Sequence, residues 1–183
     1  MRRTLLTVAA TLAGLAVLGA GGAVAFIRSG IYDIAATNQH LAITYWALDT
    51  ALVHSVRRHA AGIPVPGDLF APERLASGLR AYRDHCVACH GAPGVARQPF
   101  AMGLNPLPPP LAQTARDRTA NEVYWAIKYG IKMSGMPAWK YRMDEEALWA
   151  VTAFVERLPL LSPAEYRALA ASAGGGVAEG AVP

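Results

Sequence analysis

The run Cys86-Val87-Ala88-Cys89-His90 narrows what this chain can fold into more than any other feature of it. Two thiols separated by two residues and followed at once by an imidazole form C-x-x-C-H, the attachment signature of a c-type haem. The spacing has a physical reason. Two intervening residues let both sulfurs reach the two vinyl positions on one porphyrin edge, and the next residue then lies under the iron. A structural zinc site needs a second pair of ligands, and the chain has only these two cysteines. A thioredoxin-like pair needs alternating strands and helices, and no strand pattern is visible. The expectation is one covalently bound haem c, held by Cys86 and Cys89, with His90 as one axial ligand.

The other axial ligand should lie further along the chain. Met136 is the choice, within Met133-Ser134-Gly135-Met136-Pro137-Ala138-Trp139. A thioether raises the reduction potential and suits electron transfer. Gly135 permits close backbone approach and Pro137 stiffens the loop. Met133 ranks second and Met102 third, with His40, His54 and His59 behind them. Met is ordinarily core filler, and its place in a Gly/Pro loop after C-x-x-C-H is what sets Met136 apart.

Hydrophobic residues make up 53% of the chain and charged residues 16%, and the excess is at the N-terminus. Thr4 to Ile27 is uncharged, flanked by Arg2, Arg3 and Arg28. As a helix it would be about 36 Å long, enough to cross a hydrocarbon core of about 30 Å with some tilt. Ala23-Val24-Ala25 resembles a signal-peptidase site, so residues 1–30 read as a transmembrane anchor or a signal segment. The length of the run favours the anchor. Both readings export the rest of the chain, and Arg2 and Arg3 keep the N-terminus in the cytoplasm. Residues 31–61 contain Asp33, Asp49, His54, Arg57 and Arg58, too costly for a second span. Leu41, Tyr45, Leu48, Leu52 and Val56 recur at helical spacing, which predicts an amphipathic helix lying against the membrane surface, a partner or the haem domain.

Residues 62–68, with Gly62, Pro64, Pro66 and Gly67, read as a linker. Residues 69–161 read as one all-α domain. Pro72 opens a helix whose stripe is Leu75, Gly78, Leu79, Tyr82 and Cys86. Thr119 to Glu122 is a capping box for a helix that stops at Gly130. Asp144 caps a third, with Leu148, Val151, Thr152, Val155 and Leu158 inward. In residues 162–183, Ser162 to Glu165 caps a short helix before a small, Gly-rich, disordered tail. No basic tract is interleaved with aromatic residues, so nucleic acid is set aside as a partner.

Residues 70–160 resemble a class I cytochrome c domain, in the variant found in the cytochrome subunits of cbb3-type oxidases. The resemblance rests on Gly78-Leu79-Arg80-Ala81-Tyr82, on Cys86 to His90, on Leu107-Pro108-Pro109-Pro110-Leu111, on Gly135 to Trp139 and on Leu148 to Val155. It implies a first and last helix crossing near Gly78, with Gly78 and Tyr82 meeting Trp149 or Ala153. It also implies that the carbonyl of Pro109 or Pro110 accepts the ring N–H of His90. The implied function is electron transfer without catalysis, in a respiratory or photosynthetic chain. The protein would be single-pass in a bacterial inner membrane, with its haem domain in the periplasm facing a redox donor and acceptor. The alternative is a fixed haem-relay subunit of a membrane dehydrogenase or oxidase, and an open-site haem enzyme or gas sensor ranks below both. Lys128, Lys132, Lys140 and Arg142 flank the Met136 loop and are a candidate rim for steering partners.

Overall fold

The computed structural model describes residues 1–173, and the remainder of the tail expected to be disordered lies outside the described residues. Two compact units divide the chain, one of residues 1–38 and one beginning at Gln39.

The first unit is dominated by α1 (Arg2–Ser29), which has a mean hydropathy of 2.0 and no buried residue. It is long and apolar enough to cross a membrane. Two of its hydroxyls bond within the helix: those of Thr7 and Thr11 donate to the carbonyls of Arg3 and Thr7 at 3.0 and 2.9 Å. Gly30 ends the helix in the left-handed region, φ 67°. Beyond it the Asp33 carboxylate accepts the Ala35 N–H at 2.8 Å and the Asn38 side-chain amide. The backbone bond to Ala35, then the Asn38 amide, holds the Asp33 carboxyl below the usual range.

The second unit is helical, with no strand among its described residues. Its elements are α2 (Ala42–Ala60), α3 (Pro72–His85), α4 (Val87–His90), α5 (Leu111–Thr114), α6 (Ala120–Tyr129), α7 (Glu145–Arg157) and α8 (Pro163–Ser172). The capping signals act where the sequence places them. The Asp144 carboxylate accepts the Ala147 N–H at 2.8 Å, and capping boxes open α6 at Thr119 and α8 at Ser162. Each such cap contributes about 1 kcal/mol.

α7 is the centre of the core: every residue from Leu148 to Val155 is buried. It lies against α3, and Gly78 is the reason the two can approach closely. A Cβ on Gly78 would sit 1.9 Å from the Ala150 carbonyl oxygen and 3.0 Å from Phe154 Cβ. The partners of the crossing are therefore Ala150 and Phe154, four residues apart on one face, rather than the expected Trp149 or Ala153. Tyr82 packs on Phe154 with ring centroids 5.4 Å apart, while Trp149 turns to the neighbouring row and stacks on Tyr124 at 4.0 Å.

Segment 62–68 is tied down. Leu69 is buried in the core and Ile63 packs against it. Arg74 joins this segment to both helices, donating to Asp68 Oδ1 at 2.7 Å and to Glu146 Oε1 at 2.9 Å. α2 rests on α6 through buried Val56 and Ala60. The Asn121 amide donates to the Ala60 carbonyl at 2.9 Å, Arg57 lies 3.6 Å from Glu122, and the rings of His59 and Trp125 are 5.5 Å apart.

Candidate haem site

The two thiols and the imidazole sit on one helical turn. The Cys89 and His90 N–H groups both donate to the Cys86 carbonyl, at 3.1 and 2.9 Å. α4 then stops at Gly91, φ 66°, with a Cβ there falling 2.7 Å from the Val95 carbonyl oxygen. Only glycine turns the chain there without strain. Buried Tyr82 anchors this turn by donating its hydroxyl to the Gly91 carbonyl at 2.6 Å. Both thiols are free and half-buried. Burial, and then the neighbouring Cys89, pushes the Cys86 thiol up to about 12, so it stays neutral.

His90 Nδ1 is 2.8 Å from the carbonyl of Pro109. A carbonyl only accepts, so Nδ1 carries the proton and Nε2 keeps its lone pair. The carbonyl thereby selects the tautomer that a metal-binding imidazole needs. Among the three consecutive prolines it is Pro109 that serves; the Pro110 carbonyl instead accepts from the N–H groups of Gln113 and Thr114 and starts α5. Burial lowers the His90 pKa most, the Pro109 bond opposes this, and the Arg97 charge adds to the lowering. The imidazole is thus kept neutral, as a ligand must be.

Met136 is half-buried and packs against the same core as Cys86, Val87 and Trp139. Its rivals point to solvent: Met133 is 70% exposed and Met102 63%. The Met136 loop is seated on Gly130, whose φ is 67° and ψ −177°. A Cβ on Gly130 would lie 2.7 Å from the Met136 carbonyl oxygen, the Pro137 carbonyl carbon and the Ala138 nitrogen. The Ile131 N–H donates to the Met136 carbonyl at 3.2 Å, and the Met136 N–H donates to Ser134 Oγ at 3.2 Å. Gly135 lies against Leu104, whose Cδ1 would be 2.9 Å from an added Cβ. The loop meets the haem-motif segment where Trp139 and His85 place their rings 5.1 Å apart.

Arg97 belongs to no sequence motif, and its place in the site comes from the fold. Its Nη1 is buried with no hydrogen-bond acceptor among the described residues. A buried guanidinium nitrogen without an acceptor is costly and calls for an anionic oxygen. Its charge is felt at His90, so the missing oxygen belongs to this site. The carboxylate of a haem propionate meets that need. The residues present therefore fit the group: two thiols, an imidazole with a free Nε2, a half-buried thioether and an unmatched buried cation. The signal in the sequence is that Arg97 is the only Lys or Arg between Arg83 and Arg116.

The expected rim of free cations is narrower than the sequence suggests. Lys128 is engaged by Glu145 and by the Tyr124 hydroxyl, so its charge is matched. Lys140 lies over the rings of Tyr129 and Tyr141, at 5.1 and 4.9 Å from their centroids.

Residues 73–155 match the sequence model of a family described as cytochrome c oxidase, cbb3-type, subunit III. No curated protein and no solved structure matches the chain. The matched stretch runs from the first turn of α3 to Val155 in α7, enclosing the C-x-x-C-H turn, the Pro109 carbonyl and the Met136 loop. The match and the all-helical fold around the C-x-x-C-H turn are those of a c-type cytochrome domain, haem-binding and suited to electron transfer, in a chain with an N-terminal apolar helix of membrane-spanning length.

Proposed function

We propose that this protein is a membrane-anchored, mono-haem electron carrier that works on the exported side of a bacterial inner membrane, passing electrons between a redox donor and an acceptor in a respiratory or photosynthetic chain. The observation that carries this reading is the His90 tautomer set by the Pro109 carbonyl, together with a Gly/Pro loop that draws Met136 against the core while Met133 and Met102 stay exposed. When bound, the haem supplies one-electron iron chemistry. Cys86 and Cys89 would hold it by thioether bonds, His90 Nε2 and the Met136 sulfur would be its axial ligands, and Arg97 would take a propionate. Two strong-field protein ligands leave no position for a substrate, which is why the reading is a carrier rather than an enzyme. The anchoring by α1 and the positive residues Arg2 and Arg3 support an exported haem domain.

The test is exposure of the reduced protein to carbon monoxide together with a redox titration. A carrier gives a one-electron Nernst curve and an unchanged spectrum under carbon monoxide. A shifted Soret band would mean an open iron position, and the carrier reading would be abandoned for a gas-binding or catalytic one.

A second reading, a fixed haem relay inside a membrane dehydrogenase or oxidase, is favoured by the family match. Purification from native membranes in mild detergent separates the two. A relay subunit stays with its complex through sizing, and a tethered carrier elutes alone.

A further inference from the structure

The buried edge of α2 is Val56 and Ala60, which face α6. About 70° around the helix, at 100° per residue, runs a second apolar line: Leu41, Tyr45, Leu48 and Leu52. Electron transfer does not require it and the domain does not cover it: these residues are 62%, 54%, 39% and 37% exposed. Trp46, 63% exposed, lies about 130° from this line, beyond the Val56 and Ala60 edge, and is not part of it. Four apolar side chains in a row on a surface helix mark a contact surface.

We infer that this line on α2 lies in the interfacial layer of the lipid bilayer and seats the haem domain on the membrane that α1 enters. The inference rests on the proposed reading of α1 as an anchor. Three observations name lipid as the occupant. First, α1 ends at Ser29 and α2 begins at Ala42, so the intervening chain reaches at most about 40 Å and keeps α2 near the surface. Second, the apolar character is confined to the end of α2 nearest the anchor in the chain. Past Leu52 the same line continues as Ser55 and His59, both polar and exposed. A seam for a partner helix would continue through those turns; a helix dipping one end into the headgroup layer would not. Third, between Arg28 and Asp49 the only charged residue is Asp33, while Tyr32 and Tyr45 supply aromatic residues of the kind favoured at headgroup depth.

The consequence concerns orientation. α2 is fastened to α6 by the Asn121–Ala60 hydrogen bond and the Arg57–Glu122 pair. Seating α2 would therefore hold the haem domain in one attitude to the bilayer, where a flexible tether would let it tumble.

The test uses the full haem-loaded chain in vesicles of phosphatidylcholine and phosphatidylglycerol, with a protease recognition sequence inserted after Thr37. Haem absorbance is followed by flotation before and after cleavage. The expected result is that the cleaved haem fragment still floats. In the variant L41S/Y45S/L48S/L52S, the ratio of vesicle-bound to free haem should fall by more than about tenfold after cleavage. Those side chains are exposed, so an unchanged Soret band and helix content confirm that the variant is folded. Release of the unsubstituted fragment on cleavage overturns the inference and leaves the anchor standing. Retention of both fragments shows that another surface binds lipid and also overturns it. Release from vesicles but retention in native membranes overturns it too and assigns the line to a protein partner. Failure of the uncleaved chain to float removes the anchored reading, and the inference with it.

Discussion

Gly130→Ala should detach Met136 while leaving the rest of the domain folded. Gly130 has φ 67° and ψ −177°, a region open essentially to glycine alone, and a side chain forced into it costs about 1–3 kcal/mol. The added Cβ would lie 2.7 Å from three backbone atoms of the Met136–Ala138 segment, all of them unable to swing aside as a side chain could. Reaching an ordinary contact moves that backbone by roughly 0.6 Å, and overpacking of this kind costs a further ~1–3 kcal/mol. Together about 2–6 kcal/mol must be relieved somewhere. The cheapest place is the loop itself, because it is held by a few hydrogen bonds of its own, Ile131–Met136, Met136–Ser134 and Ser134–Ile131, whereas α7 is buried from Leu148 to Val155. The assay is the near-infrared sulfur-to-iron band of the oxidised protein, read beside far-ultraviolet circular dichroism and the reduction potential. The expected outcome is a lost or much weakened band and a lower potential, with near-native helix content. An intact band and an unchanged potential in Gly130→Ala would refute the claim that Gly130 seats the ligand loop.

Other substitutions probe the remaining parts. Gly78→Ala adds a methyl 1.9 Å from the Ala150 carbonyl, so the loss of packing between α3 and α7 should exceed the helix-propensity gain of about 1 kcal/mol. A net loss of ~2 kcal/mol or more should appear as a lower denaturant midpoint, and Ser77→Ala next to it should change little. Tyr82→Phe leaves the Gly91 carbonyl without its buried donor and should cost about 1–2 kcal/mol in the same assay. Arg97→Gln should lower stability of the haem-loaded protein and change the pH dependence of its potential. If the guanidinium holds a propionate, that carboxylate is kept ionised by a neighbouring cation, and without it the group's pKa rises. Asn121→Ala should speed amide exchange in the last turns of α2 and leave α7 unaffected, since the Asn121 amide is bonded to Ala60.

The C-x-x-C-H turn, the helix caps and the Gly/Pro loop that draws Met136 inward and leaves Met133 exposed were legible because each is a local pattern. Cys86 to His90 is one turn, Thr119 to Glu122 and Ser162 to Glu165 are capping spacings, and a Gly/Pro loop frames Met136. What was not legible depends on which face meets which. Residues 41–56 showed helical period, yet period alone does not say whether Val56 and Ala60 or Leu41 and Tyr45 would be buried; Asn121 and Trp125, some sixty residues away, decide it. The prolines and glycines of 62–68 marked a break in regular structure. They did not reveal that Ile63 and Leu69 fasten the segment to the core. At Gly78 the close crossing was foreseen and the partner row was one residue off, because Trp149 has a better surface in the ring of Tyr124. Lys128 reads as a free charge on the rim until the fold sets Glu145 of α7 beside it. Arg97 carries no motif, and only its burial without an acceptor draws notice to it.

The central claim is one haem held by Cys86 and Cys89, with His90 and Met136 closing both faces of the iron. The near-infrared spectrum of the oxidised protein and of Met136→Leu and Met133→Leu tests it most directly. The account predicts a low-spin spectrum with the sulfur-to-iron band in the unsubstituted protein and in Met133→Leu, and loss of that band in Met136→Leu. A band that survives in Met136→Leu, or one that is absent from the unsubstituted protein, would contradict it.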